Sequence, residues 1–358
     1  MNLFKKTFFN YLYIFFFILV FILFKFSTNF VLASEYNITK INIDETYDLN
    51  FDKSKVIDKA FKIAFKNLIY KILQKKDYNK FNNIKLTEIK SLVNSFTITN
   101  EKFINNNYMS EFNVQFNKKR ILKFIEEKNV ISSLPKNINV FILPIIIETK
   151  KKQISYLNEN IFLKKWNNTN KNYFLLKYIL PNEDIEDYSI MQKNIYNIEN
   201  YDFEEIIKKY NVNNHIILLI FKYENELKIL SKLNFNGKNM IVNKSYKYNN
   251  TNINEKTEKI ILELKEIYED KWKSINKLNT SIALPIKLSV SSKNVEQIKK
   301  LENALLDIDL ISDFAVDRFD NNKTIYKIIF NSTPDKFLES MEFLDFKIDT
   351  SRKLWEIK

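Results

Sequence analysis

Apolar positions along the chain change period several times, and each change predicts an element. Over residues 53–72, Ile57, Phe61, Ala64, Phe65, Leu68 and Ile72 recur at helical spacing behind Asp52, which predicts a capped amphipathic helix. A second short helix is expected around Leu86 to Val93. "FTITNEKF" and "YMSEFNVQF" then alternate across "INNN", placing Phe96 with Ile98 and Phe112 with Val114 and Phe116 on two strands of a hairpin. "NKKRILKFIEEKN" reads as a closing helix capped by Asn117. "INVFILPIIIET" is nearly continuous in apolar residues, as a central strand buried on both faces requires.

Farther along, residues 149–172 are polar with isolated aromatics and read as a long surface excursion. Strand "YFLLKYIL", a turn at Pro181, helices "NEDIEDYSIMQ" and "DFEEIIKKY" and strand "HIILLIFKY" follow. Asn236-Gly237 lies between the alternating runs "LKILSKLNF" and "MIVNKSYKY", a strong hairpin signal. Next comes a long helix with Ile260, Leu264, Ile267, Tyr268, Trp272 and Ile275 on one stripe. The last segment reads strand, helix, strand, strand, helix, strand, the βαββαβ order of a ferredoxin-like module. These elements predict a mixed α+β or α/β protein of three small modules, over 36–130, 138–278 and 281–358. "VISSLPKN" is the expected linker between the first two.

Ahead of the modules, residues 1–34 have a different character. Lys5 and Lys6 precede 17 residues, Phe8 to Phe24, interrupted only by Asn10. Val31 and Ala33 then satisfy the −3, −1 small-residue rule for cleavage after Ala33. The apolar run exceeds an ordinary signal core and reaches the lower limit of a spanning helix, so the segment is either a signal peptide or a retained signal anchor. Both place Lys5 and Lys6 on the cytoplasmic side and send the modules outward. The expected location is the periplasm or the periplasmic face of the inner membrane.

The net charge of +13 changes that picture little. Its lysines are scattered and interleaved with Asn, and the longest basic runs are Lys118-Lys119-Arg120 and Lys150-Lys151-Lys152. This is a solvated surface, with an anionic membrane surface as a possible partner and no nucleic-acid footprint. The chain has no cysteine, which removes disulfides, thiolate catalysis and Cys-based zinc sites. A single glycine excludes the P-loop, the dinucleotide fingerprint and the serine elbow, each of which needs several.

What remains is sparse. His215 is the sole histidine, at the start of a strand, so a zinc site or a triad would rest on it alone. Asp48, Asn50 and Asp52 have calcium-loop spacing, but Lys53 and Lys59 stand where the loop needs Gly and Glu. Asp184, Glu186 and Asp187 follow a strand at the start of a helix, where they fit both a polar site and the helix dipole. No catalytic, cofactor-binding or metal-binding residue is assigned, and no cofactor is expected. A carboxylate-based envelope hydrolase or transferase using Asp184 and Asp187 is the alternative to a noncatalytic protein.

Four stretches, "NEKFINNNYMSEFNVQFNKKRILKFI", "LPNEDIEDYSI", "YDFEEIIKKYNVNNHIILLIF" and "EDKWKSI", carry a resemblance to the proteobacterial envelope proteins of domain-of-unknown-function family 2066. The resemblance implies an exported, modular α/β protein with no established reaction and no catalytic residues to carry over. The expected function is interaction with, or assembly of, another envelope protein.

Overall fold

A computed structural model describes residues 36–155, 159–247, 253–278 and 283–358. The targeting residues Lys5, Lys6, Val31 and Ala33 lie outside the described residues. Within Glu35–Lys358 the chain forms one compact mixed α+β unit containing three sheets.

The first sheet has the order β1 (Asn37–Thr46), β3 (Asn107–Phe116), β2 (Val93–Ile104), antiparallel throughout. Helix α1 (Lys53–Ile72) packs on it through Val56, Ala60, Phe61, Ala64, Phe65, Leu68, Ile69 and Ile72. Asp52 caps this helix, accepting from the Ser54 backbone N–H at 2.8 Å. Ile57, placed on the buried stripe from the sequence, is only partly covered, and Val56 and Ala60 take the inner positions. α2 (Leu86–Leu92) and α3 (Lys118–Glu127) bracket the hairpin, and Asn117 caps α3 by accepting from the Arg120 N–H. The hairpin turns through Asn105 and Asn106, both at positive φ, the geometry of a type I′ turn. Its strands differ: Phe112, Val114 and Phe116 of β3 are buried, whereas the β2 edge is largely exposed and Phe96 faces solvent in part.

The second sheet runs β5 (Gln153–Ile154), β4 (Ile138–Glu148), β7 (His215–Lys222), β8 (Glu226–Phe235), β9 (Lys238–Lys247), with β6 (Leu176–Ile179) also paired to β4. β4 is parallel to β6 and β7 and buried on both faces, as its apolar run predicts. One face packs α4 (Ile161–Trp166) and α7 (Ile253–Ile275); the other packs residues of α5 (Ile185–Lys193) and α6 (Glu204–Lys208). Pro144 sits in the middle of this central strand, where a missing N–H is normally costly. β6 pairs only with 138–141 and β5 only with 147–148, so Pro144 falls in the gap between them. The buried Asn160 Nδ2 donates to the Pro144 carbonyl at 2.8 Å and fills that gap.

The segment 149–172 departs from the expected surface excursion. It contains β5 and α4, and Phe162 and Trp166 are buried in the core beside α7. "VISSLPKN" likewise does not run free: Ser133 bridges Lys277, and the Ser133 N–H donates to the Ile72 carbonyl.

The third sheet has the order β11 (Ile311–Phe319), β12 (Lys323–Phe330), β10 (Leu284–Ser291), β14 (Trp355–Ile357), β13 (Ile348–Asp349). Helices α8 (Val295–Asp307) and α9 (Pro334–Phe343) supply its apolar cover. The expected order holds through α9, after which two short strands stand in place of one. β14 inserts beside β10 and runs parallel to it.

Asn236 (φ 50°) and Gly237 (φ 76°) form the β8–β9 turn, and a Cβ at Gly237 would meet open space. Replacing Gly237 with Ala therefore costs backbone energy alone. Urea unfolding is expected to show a loss of about 1 kcal/mol for Gly237→Ala and a smaller loss for Gly237→Asn.

Candidate functional site

Two of the three carboxylates singled out from the sequence, Asp184 and Asp187, come together around a lysine. Asp184 is the N-cap of α5 and accepts from the Glu186 N–H at 2.8 Å and the Asp187 N–H at 3.3 Å. Lys209, one residue past α6, reaches Asp184 Oδ2 at 2.8 Å and Asp187 Oδ1 at 2.6 Å. Asp187 is buried, and the side chain of Glu186 faces solvent. The Lys209 ammonium and the helical N–H groups hold the Asp184 carboxyl below its usual range, and the two carboxylates raise Lys209. A carboxylate held as an anion in this way is a poor proton donor. Chemically the cluster is a latch between α5 and α6.

His215 opens β7 opposite Phe141 and Asn234, and burial pushes its imidazole below the ordinary value. Among the described residues no three His, Cys, Asp or Glu side chains stand close enough to hold a metal ion. Asp52, at the end of the calcium-like spacing, is spent on capping α1.

A different and more unusual constellation lies on α7. Lys265, Glu269 and Lys273, spaced four residues apart on one helix face, are all buried. Lys265 Nζ donates to the Trp166 carbonyl at 2.6 Å and to Asn170 Oδ1 at 2.7 Å. It also lies over the rings of Trp166 and Tyr178, 5.6 and 5.0 Å from their centroids. Glu269 Oε1 accepts from the Leu175 and Leu176 N–H groups, each at 2.8 Å. Lys273 Nζ donates to the Tyr70 carbonyl at the end of α1. Burial drives both lysines down, Lys265 to about 8, and drives Glu269 up to about 7.

Between the first sheet's layer and this helix lies a partly enclosed cleft of about 240 Å³. Tyr70, Tyr78, Tyr173 and Phe174 form its aromatic lining, and Glu269, Asp270 and Lys273 are among its polar residues. Tyr70 packs on Tyr78 and Tyr173 with ring centroids 4.5 and 5.1 Å away. The Lys75 backbone N–H donates to Asp270 Oδ1, and its ammonium pairs with Glu266 at 2.8 Å. One atom is left over: Glu269 Oε2 is buried and has no hydrogen-bond partner.

None of these cleft residues was assigned a role from the sequence, although Glu269, Asp270 and Lys273 fall within the "EDKWKSI" stretch. Lys265, Glu269 and Lys273 at i, i+4 and i+8 look like a solvated ion-pair stripe. The available signal was their position directly after Leu264, Tyr268 and Trp272, which puts them beside the apolar stripe.

No family model matches the chain, and no curated protein matches it.

Two outcomes follow from the buried charges. Lys265→Met strands Asn170 Oδ1 and leaves the Trp166 carbonyl with the Thr169 hydroxyl alone, and denaturant unfolding is expected to show a loss of about 1–3 kcal/mol; an unchanged midpoint would contradict the geometry. Glu269 keeps its proton up to about pH 7 when folded but releases it near 4.5 when unfolded, so its ionisation weakens the fold as pH rises between those values. Glu269→Gln removes that pH dependence. The stability difference, variant minus wild type, is expected to grow by on the order of 2 kcal/mol from pH 4 to pH 8, and a difference flat with pH would contradict the assignment.

Proposed function

We propose that the chain is an exported envelope protein that works by binding another envelope protein and has no reaction of its own. The observation that carries this reading is the order Lys5-Lys6, the apolar run Phe8–Phe24, and Val31 and Ala33 at cleavage spacing. The resemblance to domain-of-unknown-function family 2066 enters on the stretches quoted above. The final sheet reads as a ferredoxin-like plan extended by one strand, a fold that hosts many functions. Using Asp184 and Asp187 in a latch with Lys209 supports the noncatalytic reading over the hydrolase or transferase reading.

An exposed apolar group supports the interaction half of the proposal. Tyr47 and Phe103, both about half exposed, meet edge to face with ring centroids 4.9 Å apart, and the nearby Leu49 is fully exposed. Such a group is the kind of surface a protein partner covers.

In-cell cross-linking of a carboxyl-terminally tagged full chain, read by mass spectrometry, tests both halves. The expected result is a chain captured beside periplasmic or membrane envelope proteins, with capture reduced at least about tenfold by a Leu49→Ser/Phe103→Ser double variant, roughly the loss of one buried apolar contact pair. A first residue of Ser34 identifies a cleaved signal, and a retained amino terminus identifies an anchor. Recovery with cytoplasmic proteins alone would overturn the proposal.

A further inference from the structure

Glu269, one of the residues lining the cleft beside α7, carries a polar atom whose chemistry is unfinished. Glu269 is 2% exposed, and while Oε1 is saturated by two backbone N–H groups, Oε2 has none. A buried carboxylate oxygen without a donor is costly, and once Glu269 is ionised the missing partner is a hydrogen-bond donor. Neither lysine of the cleft supplies it in this structure: Lys273 Nζ donates to the Tyr70 carbonyl and the Lys75 ammonium pairs with Glu266. Glu266, Glu269 and Asp270 outnumber those two lysines, so the lining favours a cation over an anion. The walls agree, because the faces and edges of three tyrosines and Phe174 accommodate both an aliphatic chain and an ammonium head.

We propose that this cleft binds a primary ammonium group on a short aliphatic chain, with the ammonium donating to Glu269 Oε2 and the chain lying against Tyr70, Tyr78 and Tyr173. A quaternary ammonium lacks the N–H that Oε2 needs, and a neutral alcohol lacks the charge. The inference rests on the cleft alone and stands whether or not the envelope reading does.

The charged and titratable groups facing Glu269 are Lys265, Glu266, Asp270 and Lys273 from its own helix, Lys75, Tyr70 and Tyr78 from the first layer, and Tyr173 and Tyr178 from the second. Glu269 changes charge near pH 7 and Lys265 near pH 8, and loss of the Lys265 charge favours a bound cation in the same direction as ionisation of Glu269. Glu269 must be ionised to hold the ammonium, so binding strengthens as pH rises through those values.

The test is calorimetric titration of the full-length protein with butylammonium chloride at constant ionic strength, with 1-butanol and tetramethylammonium as controls. Saturable binding of butylammonium at pH 8 is expected, at least about tenfold weaker at pH 5.5, and at least about tenfold weaker in Glu269→Gln, whose amide still accepts from Leu175 and Leu176. Tyr173→Ala, at the rim of the cleft, is expected to weaken binding as well and serves if the Gln variant does not fold. Absence of saturable binding would mean that water alone completes Oε2 and would overturn the proposal. Equal binding of 1-butanol or tetramethylammonium, or affinity unchanged in both variants, would overturn it too.

Discussion

Three buried ionisable groups on one face of α7 constrain the rest of the molecule. An isolated ion loses several kcal/mol of hydration on burial, so each must find fixed partners or the helix cannot sit where it does. Lys265 finds them in the carbonyl that ends α4 and in Asn170, Glu269 in the two N–H groups that begin β6, and Lys273 in the carbonyl of Tyr70 on α1. One helix therefore registers three separate stretches of chain. Apolar contacts alone would tolerate sliding; these directional bonds do not.

The same helix ties the first and second layers together at its carboxyl end. Trp272 donates from its indole to the Lys136 carbonyl, Asn276 and Leu134 exchange bonds, and Leu278 donates to Ser132 and enters the core of the first layer. The segment expected to be a linker is consequently the second strip of this joint. Where the layers part, next to Tyr70 and Tyr173, the cleft opens, and its polar floor is the continuation of the buried stripe. Stability and the candidate ligand site thus draw on the same residues, which is why Glu269 has one satisfied oxygen and one unsatisfied oxygen.

Much of the architecture was legible because local pattern and tertiary structure agree. The Asp52 and Asn117 caps, the Asn236-Gly237 turn and the continuous apolar run of β4 each have a local physical cause that context did not override. β1 was missed for an equally local reason. Lys40 adopts φ 58°, a bulge separates Ile38 from Ile41, and the alternation that marks a strand is broken by one residue. Phe162 and Trp166 were read as isolated aromatics because the short helix carrying them has too few turns to show a period. The buried lysines were hidden more deeply, since nothing in Lys-x-x-x-Glu-x-x-x-Lys distinguishes an interior stripe from a solvated one. Their partners are mostly backbone atoms, which leave no trace in residue identity. The carboxylates at 184–187 could be located from sequence, but their shared lysine, 22 residues beyond Asp187, could not.

Native-state hydrogen exchange tests the central claim, that α7 makes the first and second layers one cooperative structure. The account predicts that the slowest amides of β3 and those of β4 and β7 open with the same free energy, within about 0.5 kcal/mol, a spread within which distant sites are ordinarily taken to agree. It also predicts that Lys273→Met lowers both together. Opening of β3 at a clearly lower free energy while β4 and β7 remain protected would show that the layers fold independently and that the buried stripe does not join them.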